Sequence, residues 1–187
     1  HYYDLTTNGI GANLLGFADE DVNRAVIERI QNGSNCTLNA PEEVALAERL
    51  IAIHPWAEQV RFARTGGEIA SVAVRIARAT TGRDIVAICG YHGWSDWYLA
   101  ANLGEDDTLK GHLLPGLNPH GVPSQLRGTT VAFNYNKKEE VDQIIAEYGD
   151  RLACIIMEPV RYNGPEDNFL QYVREKTKQC GAMLIFD

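Results

Sequence analysis

Side chains that can do chemistry directly follow three apolar runs of the sequence. IVAIC is followed by Tyr91 and His92, CIIM by Glu158, and MLIF by Asp187. Uninterrupted apolar runs of this kind are typical of strands covered on both faces. Because open parallel sheets bind ligands at the carboxyl ends of their strands, we expect an aromatic ring, an imidazole and two carboxylates at one edge.

A pair of glycines before an amphipathic stretch could hold a phosphate. Thr65 and Glu68 fit a capping box, in which the hydroxyl accepts from the third backbone N–H and the carboxylate reaches back to the cap. Gly66 and Gly67 leave the first-turn amides uncovered by side chains, and such a helix start binds anions. Glycine pairs also serve tight turns alone, and the stretch is neither a Walker A sequence nor GxGxxG.

Each of the other candidate side chains has a structural and a functional interpretation. Asp187 could cap or bridge loops, or it could hold a pyridinium nitrogen in its protonated form. Tyr91 could pack in the core or offer its face to a planar ligand. His92 could be a base, although a histidine in a glycine-flanked turn is more often a hydrogen-bonding structural element. We expect Trp94 and Trp97 to pack the segment that follows.

Hydrophobic periodicity predicts helices between the apolar runs. The predicted helices are 19–30 with Asp19 as its cap, a second opened by Asn39 to Glu42 and stopping before Pro55, 69–77 ended by Gly82, 141–148 and 169–180. Strands that alternate with helices indicate an α/β fold, a three-layer structure with a mostly parallel sheet flanked by helices. The irregular stretch Leu103–Arg127 is interpreted as a long active-site or interface loop.

Composition excludes several classes of function. The formal charge of −8, with no basic stripe, disfavours nucleic acid and anionic membranes. No apolar run is long enough to suggest a membrane span, and the first residues lack a signal-peptide pattern, so we expect a cytoplasmic setting. The four cysteines show no CxxC pair and no metal-ligand spacing, which predicts buried reduced thiols and no metal site.

Several motifs in order along the chain resemble the class III aminotransferases, which are fold-type-I pyridoxal phosphate enzymes. Within them the chain is most similar to the glutamate-1-semialdehyde 2,1-aminomutase group and its amino-sugar relatives. The motifs are NGIGANLLGFADEDV, NAPEEVALAERL, VRFARTGGEIASVAVRIARATTGR, GYHGWSDWY, IIMEPV and MLIFD. The resemblance implies pyridoxal 5′-phosphate as the cofactor, an N-terminal segment with helices at 1–55, and a partial cofactor-binding large domain at 56–187.

The resemblance also implies a role for each candidate position. Thr65, Gly66 and Gly67 would hold the cofactor phosphate. Tyr91 would stack on the pyridine ring, and Asp187 would pair with the ring nitrogen.

Three further positions complete the candidate cofactor-binding set. The resemblance places Asn163 near the phenolic oxygen of the cofactor, with His92 beside the site. Glu158 either contacts the cofactor or only organises its loop. Two departures stand out: Gly67 lacks the hydroxyl of the family's usual Thr but keeps the amide, and Ile69 replaces the usual Ala.

The family's Schiff-base lysine lies downstream of the Asp, after a further strand, and no lysine of this chain matches that place. The lysines present are Lys110, Lys137, Lys138, Lys176 and Lys178. The resemblance therefore implies part of a larger, homodimeric enzyme that transfers an amino group on a small amino acid, semialdehyde or keto-sugar. We expect this chain alone to have no catalytic residue and to be inactive. The alternative is a noncatalytic scaffold or dimerisation domain that retains the fold.

Overall fold

The chain divides by its internal contacts into two units, His1–Arg61 and Phe62–Asp187. A computed structural model describes residue 3 and residues 5–35, 37–104, 118–160 and 162–187. Most of the predicted loop at 103–127 therefore lies outside the described residues. Within the described ranges, no helix is long and apolar enough to cross a membrane, and no cluster of three or more His, Cys, Asp or Glu could hold a metal ion.

The described residues of the first unit form two helices, α1 at Glu20–Gln31 and α2 at Pro41–Ile53. Asp19 caps α1 as predicted, since its carboxylate accepts from the Val22 N–H at 2.9 Å. Asn39 is not the cap of α2. Ala40 takes that position because Pro41 occupies the first helical turn and holds the preceding residue extended, at φ −71° and ψ 152°.

The second unit is built on a parallel sheet with the strand order β2-β1-β3-β4. Its elements in chain order are α3 Gly66–Thr81, β1 Ile85–Cys89, α4 Asp96–Leu99, the 3₁₀ turns Ala100–Leu103 and Ser124–Leu126, β2 Thr130–Ala132, α5 Lys138–Tyr148, β3 Leu152–Met157, α6 Phe169–Cys180 and β4 Met183–Phe186. The chain leaves β1 toward β2 on one side and later returns to β3 on the other. The sheet therefore has a topological switch point between β1 and β3, where ligands of open α/β sheets bind.

Alternation along β1 supplies both faces of the sheet with core residues. Val86 and Ile88 pack in a cluster with residues of α3 and α4. Ala87 and Cys89 point to the opposite side and pack with residues of α5 and α6. Both β1 and β3 are buried along their whole length. The predicted three-layer α/β architecture is confirmed.

Two expectations about the sheet fail at its edges. β4 is only partly buried, since Met183 and Phe186 at its ends are 41% and 50% exposed, and within the described ranges it pairs only with β3. β2 was not predicted, since three residues are too few to show a period.

The tryptophans and cysteines follow their predictions only in part. Trp97 is buried, whereas Trp94 is 72% exposed. Cys89 and Cys154 are buried and form no disulfide within the described residues, and burial raises the pKa of the Cys154 thiol to about 12. Cys180 is a free thiol that is only partly buried. Cys36 lies outside the described residues.

Candidate cofactor site

The N-terminus of α3 begins as the sequence predicts, with one change. Thr65 is extended, and its hydroxyl accepts from the Glu68 N–H at 3.2 Å. The Glu68 carboxylate accepts from the Arg64 N–H at 2.9 Å, one residue before the cap rather than at the cap. The helix start is therefore fixed from both sides of Thr65.

The first two amides of α3 remain open. Neither the Gly66 nor the Gly67 N–H has an acceptor among the described residues. A Cβ at Gly66 would meet nothing within 4 Å, and one at Gly67 would meet only the Cα of Gly93, at 3.7 Å. Open N–H groups without side chains in front of them form a cradle that fits a phosphate.

His92 and Asp187 form a pair at the carboxyl edge of the sheet. The His92 Nδ1 lies 2.6 Å from the Asp187 Oδ2, and its Nε2 lies 3.2 Å from the Cys89 carbonyl oxygen. Both ring nitrogens thus face acceptors. The two contacts fix the orientation of the imidazole ring between the backbone at the end of β1 and the carboxyl group of Asp187.

Asp187 is positioned by the sheet and stays accessible. Its backbone N–H donates to the Met157 carbonyl at 3.0 Å, which continues the ladder between β3 and β4. The His92 side chain is fully buried, whereas the Asp187 side chain is 35% exposed. The carboxylate can therefore meet a ligand while the imidazole holds it from behind.

Tyr98 organises the aromatic part of the site and was missed by sequence reasoning. Its hydroxyl donates to the Gly90 carbonyl at 2.7 Å, inside the core. The rings of Tyr91 and His92 both meet it edge to face, with centroids 5.9 and 6.0 Å away. Tyr91 is half-buried and packs against the core cluster under α3. The signal that could have found Tyr98 is its place in the GYHGWSDWY motif, directly after β1.

Glu158 and Asn163 follow β3 and differ in their surroundings. The Glu158 side chain packs over Gly90, where a Cβ would lie 3.4 Å from the carboxyl carbon. Asn163 is exposed, and within the described part of the chain no hydrogen bond joins it to another predicted site residue. Its loop is anchored by Asn136, which donates to the Gly164 carbonyl and accepts from the Glu166 N–H.

Gly93 joins the helix tip to the rest of the site. A Cβ at Gly93 would lie 2.8 Å from the Cα of Gly67, so the two backbones touch. The preceding residue is His92, which pairs with Asp187. A series of contacts therefore connects the open amides of α3, through the loop after β1, to the acid after β4.

An open parallel sheet with a bare helix tip and with aromatic and acidic side chains after its strands is typical of α/β domains that bind a ligand at the carboxyl edge of the sheet. The family model for class III aminotransferases matches residues 1–187. The chain belongs to the class III aminotransferase family.

Known proteins are similar to this chain in sequence and in fold. A glutamate-1-semialdehyde 2,1-aminomutase of Thermomicrobium roseum is 41% identical over 95% of this chain. The chain covers 41% of that protein, about two fifths of its length. An omega-transaminase from Sphaerobacter thermophilus superposes with a TM-score of 0.82 at 31% identity, and a transaminase with PLP bound superposes with 0.84 at 29%. Each comparison covers 97% of this chain and 43% of the other.

Proposed function

We propose that this chain forms the pyridoxal 5′-phosphate-binding part of an enzyme that transfers amino groups. The observation that carries the proposal is the series of contacts that links Gly66 and Gly67, through Gly93 and His92, to Asp187. An anion site and a fixed carboxylate are what the two ends of this cofactor require. Relatives that are glutamate-1-semialdehyde 2,1-aminomutases, and a similar structure described as a transaminase with PLP bound, support the assignment.

The α3 N-terminus would hold the phosphate. Gly66 and Gly67 each offer a backbone N–H, and the positive end of the helix dipole favours the anion. Hydrogen bonds to a charged acceptor are stronger than those between neutral groups. Thr65 fixes the turn from which these amides project.

The other end of the site would hold the ring. Asp187 would accept a hydrogen bond from the ring nitrogen, and the buried His92 would hold the Asp187 side chain in place. Tyr91 would cover a face of the ring. Asn163 would approach the phenolic oxygen, and Glu158 would shape the loop beside it. When bound, the cofactor supplies an aldehyde that accepts an amino group and a protonated ring that withdraws electrons.

The whole enzyme would act on small molecules. We propose a small amino acid, semialdehyde or keto-sugar as donor and acceptor, and the relatives that are glutamate-1-semialdehyde 2,1-aminomutases support the semialdehyde. We further propose a homodimer and a cytoplasmic setting. The buried cysteines Cys89 and Cys154, which form no disulfide within the described part of the chain, agree with a reducing compartment.

We propose that the 187-residue chain alone does not catalyse transfer. Lys138 donates to the Asp167 carbonyl, and Lys176 pairs with Asp142. Both amines are thus engaged on α5 and α6 rather than at the His92–Asp187 pair. The same observation favours the second candidate for the isolated chain, a noncatalytic scaffold that keeps the fold.

Titration of the chain with pyridoxal 5′-phosphate tests the proposal. We expect a saturable change in the visible spectrum and no lysine adduct after borohydride treatment. D187N should weaken binding, whereas D150N, an exposed acid at the opposite edge of the sheet, should not. Absence of saturable binding would refute the cofactor assignment, and a single trapped lysine would refute the inactivity of the isolated chain.

A further inference from the structure

The hydroxyl of Ser71 is the centre of a small hydrogen-bond network next to the open tip of α3. Its Oγ lies 2.7 Å from the Gly67 carbonyl oxygen and 2.9 Å from the Ser95 Oγ. The Trp97 Nε1–H donates to the same oxygen at 3.0 Å. One side chain thus connects α3 with the loop after β1 and with α4.

The chemistry of the three partners fixes the direction of each bond. The indole N–H can only donate, and the Gly67 carbonyl can only accept. Ser71 has one hydrogen and two lone pairs, so all three contacts are satisfied when it donates to Gly67 and accepts from both Ser95 and Trp97. No hydrogen-bonding capacity of Ser71 is then left over.

Ser95 behaves unusually for its position. It is the N-cap of α4, where a serine hydroxyl normally accepts from the first-turn amides, yet its side chain makes no capping bond. The hydroxyl turns to Ser71 instead. The Ser95 hydroxyl thus makes a hydrogen bond to α3 in place of the usual capping bond to α4.

This network and the glycine contact lie on one face of α3. Gly67 and Ser71 are four residues apart, so they share a face of the helix. Gly93 touches Gly67, and Ser95 bonds Ser71, two residues further along the loop. Two contacts one helical turn apart fix both the distance and the direction between the loop and the helix.

We propose that Ser71 is a positioning residue for the phosphate end of the site. It holds the first turn of α3 in register with the loop that carries Tyr91 and His92, so that the amides and the ring-binding side chains meet one ligand. This inference rests on the proposed cofactor function. Ser71 touches no reacting atom itself.

The test compares the affinity of the chain for pyridoxal 5′-phosphate with its affinity for pyridoxal, which lacks the phosphate. The ratio isolates the phosphate end of the site. S71A should lower this ratio by roughly threefold to tenfold, as expected for a hydrogen bond lost from the site. S71T keeps the hydroxyl and should restore the ratio.

T81V is the matched control. Thr81 also donates to the carbonyl four residues before it, at 2.8 Å, but about 15 Å further along α3. Its loss should leave the ratio unchanged. The indole N–H of Trp97, followed by NMR, should lose protection from exchange in S71A and not in T81V.

Each outcome decides a different point. A folded S71A with an unchanged ratio would overturn the role of Ser71 while leaving the cofactor assignment intact. If S71A does not fold, S95A decides, since it removes one bond of the network and should still lower the ratio; an unchanged ratio would overturn the role. A wild-type chain that binds both compounds equally would overturn the phosphate site and the role of Ser71 with it.

Discussion

At the scale of single residues, three glycines of the candidate site matter because they carry no side chain. Gly66 and Gly67 expose amides that a side chain would cover, and Gly93 lets two backbones touch. At Gly93 the backbone also has a φ of +97°, which side chains rarely adopt. Each of these positions therefore requires glycine for its own structural reason, which a substitution can test.

Replacing Gly66 with proline removes one phosphate donor without breaking the helix. Proline is favoured at the first helical position, and Thr65 already has the extended backbone that precedes proline. G66P should weaken pyridoxal 5′-phosphate binding roughly tenfold relative to G66A, which keeps the N–H. Equal affinities of G66P and G66A, measured by titration, would mean that this amide does not bind the phosphate.

Replacing Gly93 with alanine should destabilise the second unit. The new Cβ would lie 2.8 Å from the Gly67 Cα, so backbone would have to move. G121A is the control, because Gly121 has a similar φ of +92° but open space around it. Urea unfolding should show G93A less stable than G121A by about 1–3 kcal/mol. Equal stability would show that the loop and helix do not need this close approach.

At the scale of elements, the sequence predicted three of the four strands and missed the short strand β2 and the exposure of β4. Apolar runs identified β1, β3 and β4 because strands inside a sheet are rich in apolar side chains. The exposure of Phe186 depends on β4 having only one neighbour, which no local pattern records. The Ser71 network was likewise missed, because a serine on a helix carries no sign of a partner 24 residues away.

The contact between α5 and α6 should respond to acid. Hydrogen bonds from Lys176 and then Tyr172 lower the pKa of Asp142 below its usual value. A lowered pKa in the folded state gives stability that is present above the unfolded value, near pH 4, and is lost as the pH falls through the folded value. The free energy of unfolding of D142N should therefore approach that of the wild type between pH 5 and the acid limit.

The size of this effect should be small. The Asp142 side chain is 47% exposed, so the difference at pH 7 should be about 1 kcal/mol or less. Urea unfolding as a function of pH measures it, with D150N as the control for a general loss of negative charge. A difference between D142N and the wild type that stays constant down to pH 2 would contradict the assigned pairing.

At the scale of the whole chain, the two units contribute differently to the candidate site. All hydrogen-bonded members of the candidate site, from Thr65 to Asp187, belong to the second unit. The two helices of the first unit have no buried residue, and the side chains of Val22, Val26 and Ile30 on α1 are about half exposed. Apolar side chains on one helix face are available for association, which agrees with the proposed homodimer.

The central claim is that one ligand spans the helix tip and the strand-end acid, and amide NMR tests it most directly. Inorganic phosphate should shift Gly66 and Gly67, and pyridoxal should shift His92 and Asp187. Pyridoxal 5′-phosphate should shift both groups together, at one affinity. Shifts by pyridoxal 5′-phosphate at only one of the two groups, or at two different affinities, would contradict the account.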